Sequence, residues 1–261
     1  MSIFSYDFMQ HAFIAGTLST IIAAVMGYFI VLRNQSFLGH ALGHMGFAGA
    51  TGAGLIGLSA TTGQLIFTLL GAIGIAALDK RTEKNDIAIG VLLAFSLGLG
   101  ILFLYLYSTF AEQAMSILFG DVLTVSTAEL KTLALFSLVS LAGIALIGRP
   151  LLFSTLEPEL AEASGVSLKF ISTLFLILVS IAVTEATITI GILLIFTLLI
   201  LPAATALRLT HTFWLGISLS VVLGLVITWA GIFLAYYTNW PTSFWITSCA
   251  LVVYLISLLK K

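Results

Sequence analysis

The sequence predicts an all-α protein: a polytopic transmembrane helix bundle of about 8–9 spans with one short cytoplasmic coupling helix. Three observations carry this. Of 261 residues, 60% are hydrophobic and 8% charged, whereas a soluble domain carries about a quarter charged residues. The mean hydropathy is +1.19. The apolar residues also fall into runs close to the ~20 that a bilayer-crossing helix needs. No room remains for a soluble domain, so residues 1–261 read as a single transmembrane domain.

In chain order the runs are 9–32, 37–58, 63–78, 87–107, 130–147, 168–184, 188–207, 213–237 and 244–259. The first lacks a basic lead and a small-residue cleavage site, so it is read as a retained span rather than a signal peptide. The third and sixth are short. The sixth and seventh are separated only by Glu185, Ala186 and Thr187, so either can be re-entrant or broken. Two longer connections, 108–129 and 149–167, are the places to look for partner contacts.

Nine crossings put the termini on opposite sides, and basic residues choose between the two orientations. With the N-terminus outside and the C-terminus cytoplasmic, Arg33, Lys80, Arg81, Lys84, Arg149, Lys169, Arg208, Lys260 and Lys261 all face the cytoplasm. Only Lys131 faces out. The reverse orientation inverts that bias, so the first is expected.

Several function classes fall away. The net charge of −1 argues against a nucleic-acid surface, and the single Cys249 provides neither a disulfide framework nor a thiolate cluster. No G-x-x-x-x-G-K-[ST] is present, so ATP phosphates are not cradled by that route.

His40 and His44 are the leading candidates for function. They lie in GHALGHMGFAGATGAGLIG, and imidazoles at i and i+4 share a helix face, ~6 Å apart along the axis, where both can hold one metal ion. Thr51 falls on roughly that face. The plainer alternative is two histidines packed in a helix interface, each hydrogen-bonded to a neighbour. An HExxH protease is excluded, because Ala41, Leu42 and Gly43 stand between the histidines. The glycines around them, with Gly46, Ala50 and Gly54 as a small-xxx-small stripe, predict close helix packing and a helix able to rearrange.

The segment LEPELAEASGVSLK reads as a short amphipathic helix. Glu157, Pro158 and Glu159 open it, Leu160, Ala161, Ala163 and Val166 form its apolar side, and Gly165 caps it. It is expected either to dock a cytoplasmic partner or to be a solvated loop with one helical turn. Further on, Pro202 is expected to kink the seventh span, and Ala203 and Ala204 after it allow close packing. Glu185 is expected close to the outer face at a span end. Asp7 and His11 stand at the outer mouth, and His211 in a cytoplasmic loop.

Taken in order, these motifs resemble the membrane subunits of bacterial zinc and manganese ABC importers. The family pattern F-x-G-D-A-L-S-H-x-x-L-P-G is matched by Phe37, Gly39, Ala41, Leu42, His44 and Gly49. A D-P-E-x-A-x-x-x-G-V segment is matched by Pro158, Glu159, Ala161, Gly165 and Val166. The run G-x-L-L-x-x-x-L-L-x-x-P-A-A-T-A is matched by Gly191, Leu193, Leu194, Leu198, Leu199, Pro202, Ala203, Ala204, Thr205 and Ala206. His40 replaces the family's Asp, Gly43 its Ser, and Phe47 and Ala48 its Leu-Pro. An imidazole in place of a carboxylate makes the pair softer and favours Zn²⁺ over Mn²⁺.

The resemblance implies a non-enzymatic permease subunit in a bacterial inner membrane, importing zinc or manganese as a homodimer and holding no permanent cofactor. It also implies a separate cytoplasmic ATPase docked on Glu157–Val166 and an extracytoplasmic metal-binding protein. The metal pathway would use His40, His44, Thr51 and Glu185. A proton-coupled secondary metal carrier using Glu185 and the histidines is the competing expectation, followed by a non-transporting membrane scaffold.

Overall fold

The computed structural model describes residues 6–78, 85–106, 120 and 122–259. Among them every regular element is helical: α1 (Asp7–Leu32), α2 (Leu38–Leu55), α3 (Ala60–Leu78), α4 (Asn85–Tyr105), α5 (Thr127–Leu156), α6 (Pro158–Ala163), α7 (Leu168–Ile190), α8 (Ile192–Leu209), α9 (Phe213–Thr238) and α10 (Thr242–Leu259). One 3-10 turn, Val122–Thr124, precedes α5. Lys80, Arg81, Lys84, Lys260 and Lys261, and most of the 108–129 connection, lie outside the described residues.

Seven of these helices are long and apolar enough to cross a membrane: α1, α3, α5, α7, α8, α9 and α10. The other two long helices, α2 and α4, complete the set of nine expected runs. The α2 helix falls short on hydropathy because glycines and two histidines occupy positions that leucine would fill. It is buried by its neighbours instead.

Two boundaries differ from the sequence expectation. The fifth run, expected to stop at 147, continues as a thirty-residue helix to Leu156, passing through Arg149 and Pro150. At 1.5 Å per residue its length is about 45 Å, half as long again as a hydrocarbon thickness of about 30 Å. Its start is fixed by a capping box: the Ser126 hydroxyl accepts from the Glu129 N–H, and the Glu129 carboxylate accepts from the Ser126 N–H.

The second difference concerns Glu185, Ala186 and Thr187. They do not separate two spans but lie inside α7, and the break falls at Gly191. There φ is 82° and ψ 158°, a region open essentially only to glycine.

Small residues let the helices meet. A side chain on Gly27 of α1 would collide with the Leu199 backbone of α8, and one on Gly16 would lie 3.0 Å from Thr228 of α9. Where lipid offers no hydrophobic drive, such contacts and interhelical hydrogen bonds hold a bundle together, the bonds at about 0.6 kcal/mol each. Here Thr20 bonds Thr228 at 2.7 Å, Ser19 bonds Thr189 at 3.1 Å, and the Ser220 hydroxyl donates to the Ala24 carbonyl at 3.2 Å. Arg33, capping α1, donates to Thr155 of α5 at 3.1 Å and Ser172 of α7 at 2.7 Å, and lies over the Phe175 ring. Helix α1 thus forms the centre, with α5, α7, α8 and α9 around it, while α2, α3 and α4 pack as a second group against α7 and α8.

Candidate metal pathway

The repeated Gly-His pair of GHALGH organises one face of α2. On Gly39 and Gly43, one helical turn apart, a side chain would run into Leu199 and Ile192 of α8 respectively. Glycine at both positions lets α8 approach, and the next residue in each repeat is a histidine. The His40 and His44 rings meet edge to face with centroids 4.5 Å apart, and Phe196 of α8 stands against His40 at 5.1 Å. Both histidines are half-buried.

The Nδ1 atoms of both rings are buried without a hydrogen-bond partner. A buried polar atom left unpaired costs roughly 1–3 kcal/mol. The rings are packed in a helix interface, as the plainer expectation has it, but their Nδ1 atoms do not make the hydrogen bond to a neighbour that it also calls for. That leaves two nitrogens that a water or a cation would satisfy. Among the described residues no group of three or more His, Cys, Asp or Glu side chains is placed to hold a metal ion. The described residues of one chain therefore offer this pair with no third such ligand beside it.

Thr51 lies two turns beyond His44 and is buried, with its hydroxyl directed to the Phe47 and Ala48 carbonyls of its own helix at 2.9 and 3.0 Å. Glu185 is 3% exposed, and its Oε1 has no partner. Its neighbour Thr184 bonds Thr68 of α3 at 2.8 Å, and the Ser180 hydroxyl donates to the Thr68 carbonyl at 3.2 Å. One turn earlier on α3 stands Gln64, 1% exposed, with Nε2 also unpartnered. Helices α3 and α7 run antiparallel, since Ala76 near the end of α3 shares a cavity with Lys169 and Ser172 at the start of α7. Gln64 therefore lies toward the turn that carries Glu185. Glu185 is the one buried carboxylate among the described side chains, and it is not gathered with the two histidines.

Sequence reasoning missed Phe196, Gln64, Thr68 and Thr184. The intramembrane amide of Gln64 was the available signal, because a polar group in hydrocarbon is costly wherever it stands. Near the start of α1, His11 Nδ1 lies 3.1 Å from the Val125 carbonyl and ties α1 to the turn before α5, while Asp7 is exposed. His211 is exposed between α8 and α9.

Helix α6 begins with Pro158 at its first turn and ends in a Schellman arrangement. The Gly165 N–H donates to the Glu162 carbonyl and the Val166 N–H to the Ala161 carbonyl, each at 3.0 Å, with Gly165 at φ 86°. Ala161 is fully buried and seats the helix on its own chain. Leu160, expected on the apolar inner side, is 58% exposed, and Glu157, Pro158, Glu159 and Gly165 also face outward. In α8, Pro202 and Ala203 are buried, Ala204 is half-buried, and Pro202 faces Gly224 of α9.

Comparison with known proteins gives a consistent picture. The profile described as the ABC 3 transport family matches residues 5–261. The chain is 35% identical over 230 residues to the manganese transport system membrane protein MntC of Halalkalibacterium halodurans, covering 88% of this chain and 79% of that one. It is 24% identical to the high-affinity zinc uptake system membrane protein ZnuB of Haemophilus influenzae, covering 98% of each. Among solved structures, PsaBC from Streptococcus pneumoniae in complex with a Fab superposes with a TM-score of 0.86 at 30% identity, covering 97% of this chain and 91% of that one.

Proposed function

The chain belongs to the ABC 3 transport family, and from that premise we propose that it is the membrane subunit through which an ATP-driven importer passes zinc. Energy would come from separate ATPase subunits bound at α6, and an extracytoplasmic metal-binding protein would deliver the ion. On this reading the N-terminus is outside, the C-terminus cytoplasmic, and the membrane the bacterial inner one.

The observation that carries the proposal is the pair of adjacent imidazoles with unpartnered Nδ1 atoms on a helix that glycines open to its neighbour. With the ring centroids 4.5 Å apart, the two imidazoles are close enough for one ion to take a nitrogen from each at the ~2.0–2.1 Å of Zn²⁺ coordination. Two neutral nitrogen ligands suit Zn²⁺ better than Mn²⁺, which prefers oxygen. The relatives with higher identity are named for manganese, so the preference rests on His40 standing where the family pattern has Asp. Zn²⁺ is normally four-coordinate, so a homodimer presenting two such faces would complete the set. Thr51 and Glu185 are proposed as further polar points of the path, apart from the ion's first ligands. Gly191 and Pro202 would provide the bends about which α7 and α8 shift.

The deciding experiment measures zinc and manganese accumulation in metal-depleted cells carrying His40→Ala, His44→Ala or the double variant. Uptake falls roughly tenfold or more, while membrane insertion and ATPase association persist. Unchanged uptake in the double variant rejects the histidine pathway, and manganese uptake exceeding zinc uptake rejects the metal assignment.

A further inference from the structure

Helices α5 and α9 both pack on α1 but scarcely on one another. They leave a groove of about 760 Å³ on the flank of the bundle, between faces that the membrane reading turns toward lipid. Val25 and Phe29 of α1 form its floor, Ile144 and Ala145 of α5 one wall, and Phe213 of α9 the other. At one end stands Arg149. No acidic residue is among the described lining, which is otherwise apolar apart from the indole N–H of Trp214. Arg149 is exposed and donates no hydrogen bond and makes no ion pair to any described residue.

We propose that this groove is a binding site for one anionic glycerophospholipid, its acyl chain along α1 and its phosphate on the Arg149 guanidinium.

Three features of the chain support that occupant. The wall is continuous hydrocarbon, which offers an acyl chain about 0.8 kcal/mol per buried methylene. Arg149 stands two residues past the end of the fifth apolar run, on a helix longer than the apolar layer is thick, so on the membrane reading its charge meets the membrane at headgroup depth. Trp214 is 70% exposed at the start of α9, and an indole at that level belongs to the interfacial belt. A guanidinium presents five donors in a planar fork that matches a phosphate. Basic pockets between transmembrane helices on the cytoplasmic side are general headgroup sites. The site does not depend on which metal the pathway carries. It does bear on coupling, because Arg149 and Pro158 flank the end of α5 that supports α6.

The test uses the intact complex purified in mild detergent, with bound lipid measured by native mass spectrometry and thermal stability followed during lipid titration. Phosphatidylglycerol is expected to be retained and to stabilise the complex. Phosphatidylethanolamine of the same acyl chains and inorganic phosphate are not. Arg149→Ala should weaken phosphatidylglycerol binding roughly fivefold or more, and Arg149→Lys should recover part of it. Ala145→Trp fills the groove while leaving the Arg149 charge in place and should also expel the lipid, so the proposal stays testable if Arg149→Ala fails to fold. Equal binding of the two lipids, equal stabilisation by phosphate, or unchanged retention in Ala145→Trp overturns the proposal. So does loss of self-association in Arg149→Ala, which would make the groove a protein interface.

Discussion

Gly120, from the connection before α5, lies backbone to backbone against Gly191, the single residue joining α7 to α8. A side chain on Gly120 would strike the Gly191 nitrogen and the Ile190 carbonyl carbon. The break in the helical path is therefore held from outside as well as by its own conformation.

Replacing Gly191 with Ala imposes a φ of 82° on a residue with a Cβ, at a cost of about 1–3 kcal/mol. The variant should unfold at lower temperature in detergent, and Gly120→Ala should do so too, through the collision. Stability equal to the parent protein in both would show that the break does not depend on these glycines.

Acidification should oppose zinc binding. A protonated imidazole donates hydrogen bonds and cannot ligate, so metal binding at His40 and His44 must release protons. Binding measured by calorimetry in detergent should weaken as pH falls, with proton release that shows in buffers of different ionisation enthalpy. The His40→Ala, His44→Ala double variant should lose this pH dependence.

Glu185 distinguishes an ATP-driven path from a proton-coupled carrier. Glu185→Gln keeps shape and hydrogen bonding but cannot exchange a proton. With an ATP-driven pathway, zinc uptake should stay within roughly tenfold of the parent, since one hydrogen bond is worth about 0.5–1.5 kcal/mol. Uptake should also collapse when ATP hydrolysis is blocked. Uptake that survives that block and disappears with an uncoupler and in Glu185→Gln would favour the carrier.

The outward face of α6 should carry the ATPase contact. Glu159→Arg combined with Leu160→Lys changes exposed positions and leaves the buried Ala161 in place. The purified permease should remain folded, while ATPase co-purification and metal-stimulated hydrolysis fall at least several-fold. Ala161→Lys, by contrast, should lower stability by roughly 1–3 kcal/mol, because it forces bulk and charge into a packed site.

Composition and periodicity alone determined that this chain is a helical membrane bundle and where the nine long helices among the described residues lie, the end of α5 and the break between α7 and α8 excepted, and they singled out the histidine pair of α2. Those features are local: length, hydropathy and the i, i+4 spacing of His40 and His44 need no knowledge of neighbours. Even the α6 cap was legible, because Gly165 answers a local backbone demand. Tertiary structure alone decided that Glu185 lies within α7, since a carboxylate inside an apolar helix reads in sequence as a boundary until packing buries it. It also decided that Gly39 and Gly43 admit α8, that Phe196 stands against His40, and that Leu160 faces outward where Ala161 faces in. These are facts about what sits across each helix face, and a residue's own chain position does not specify its partner.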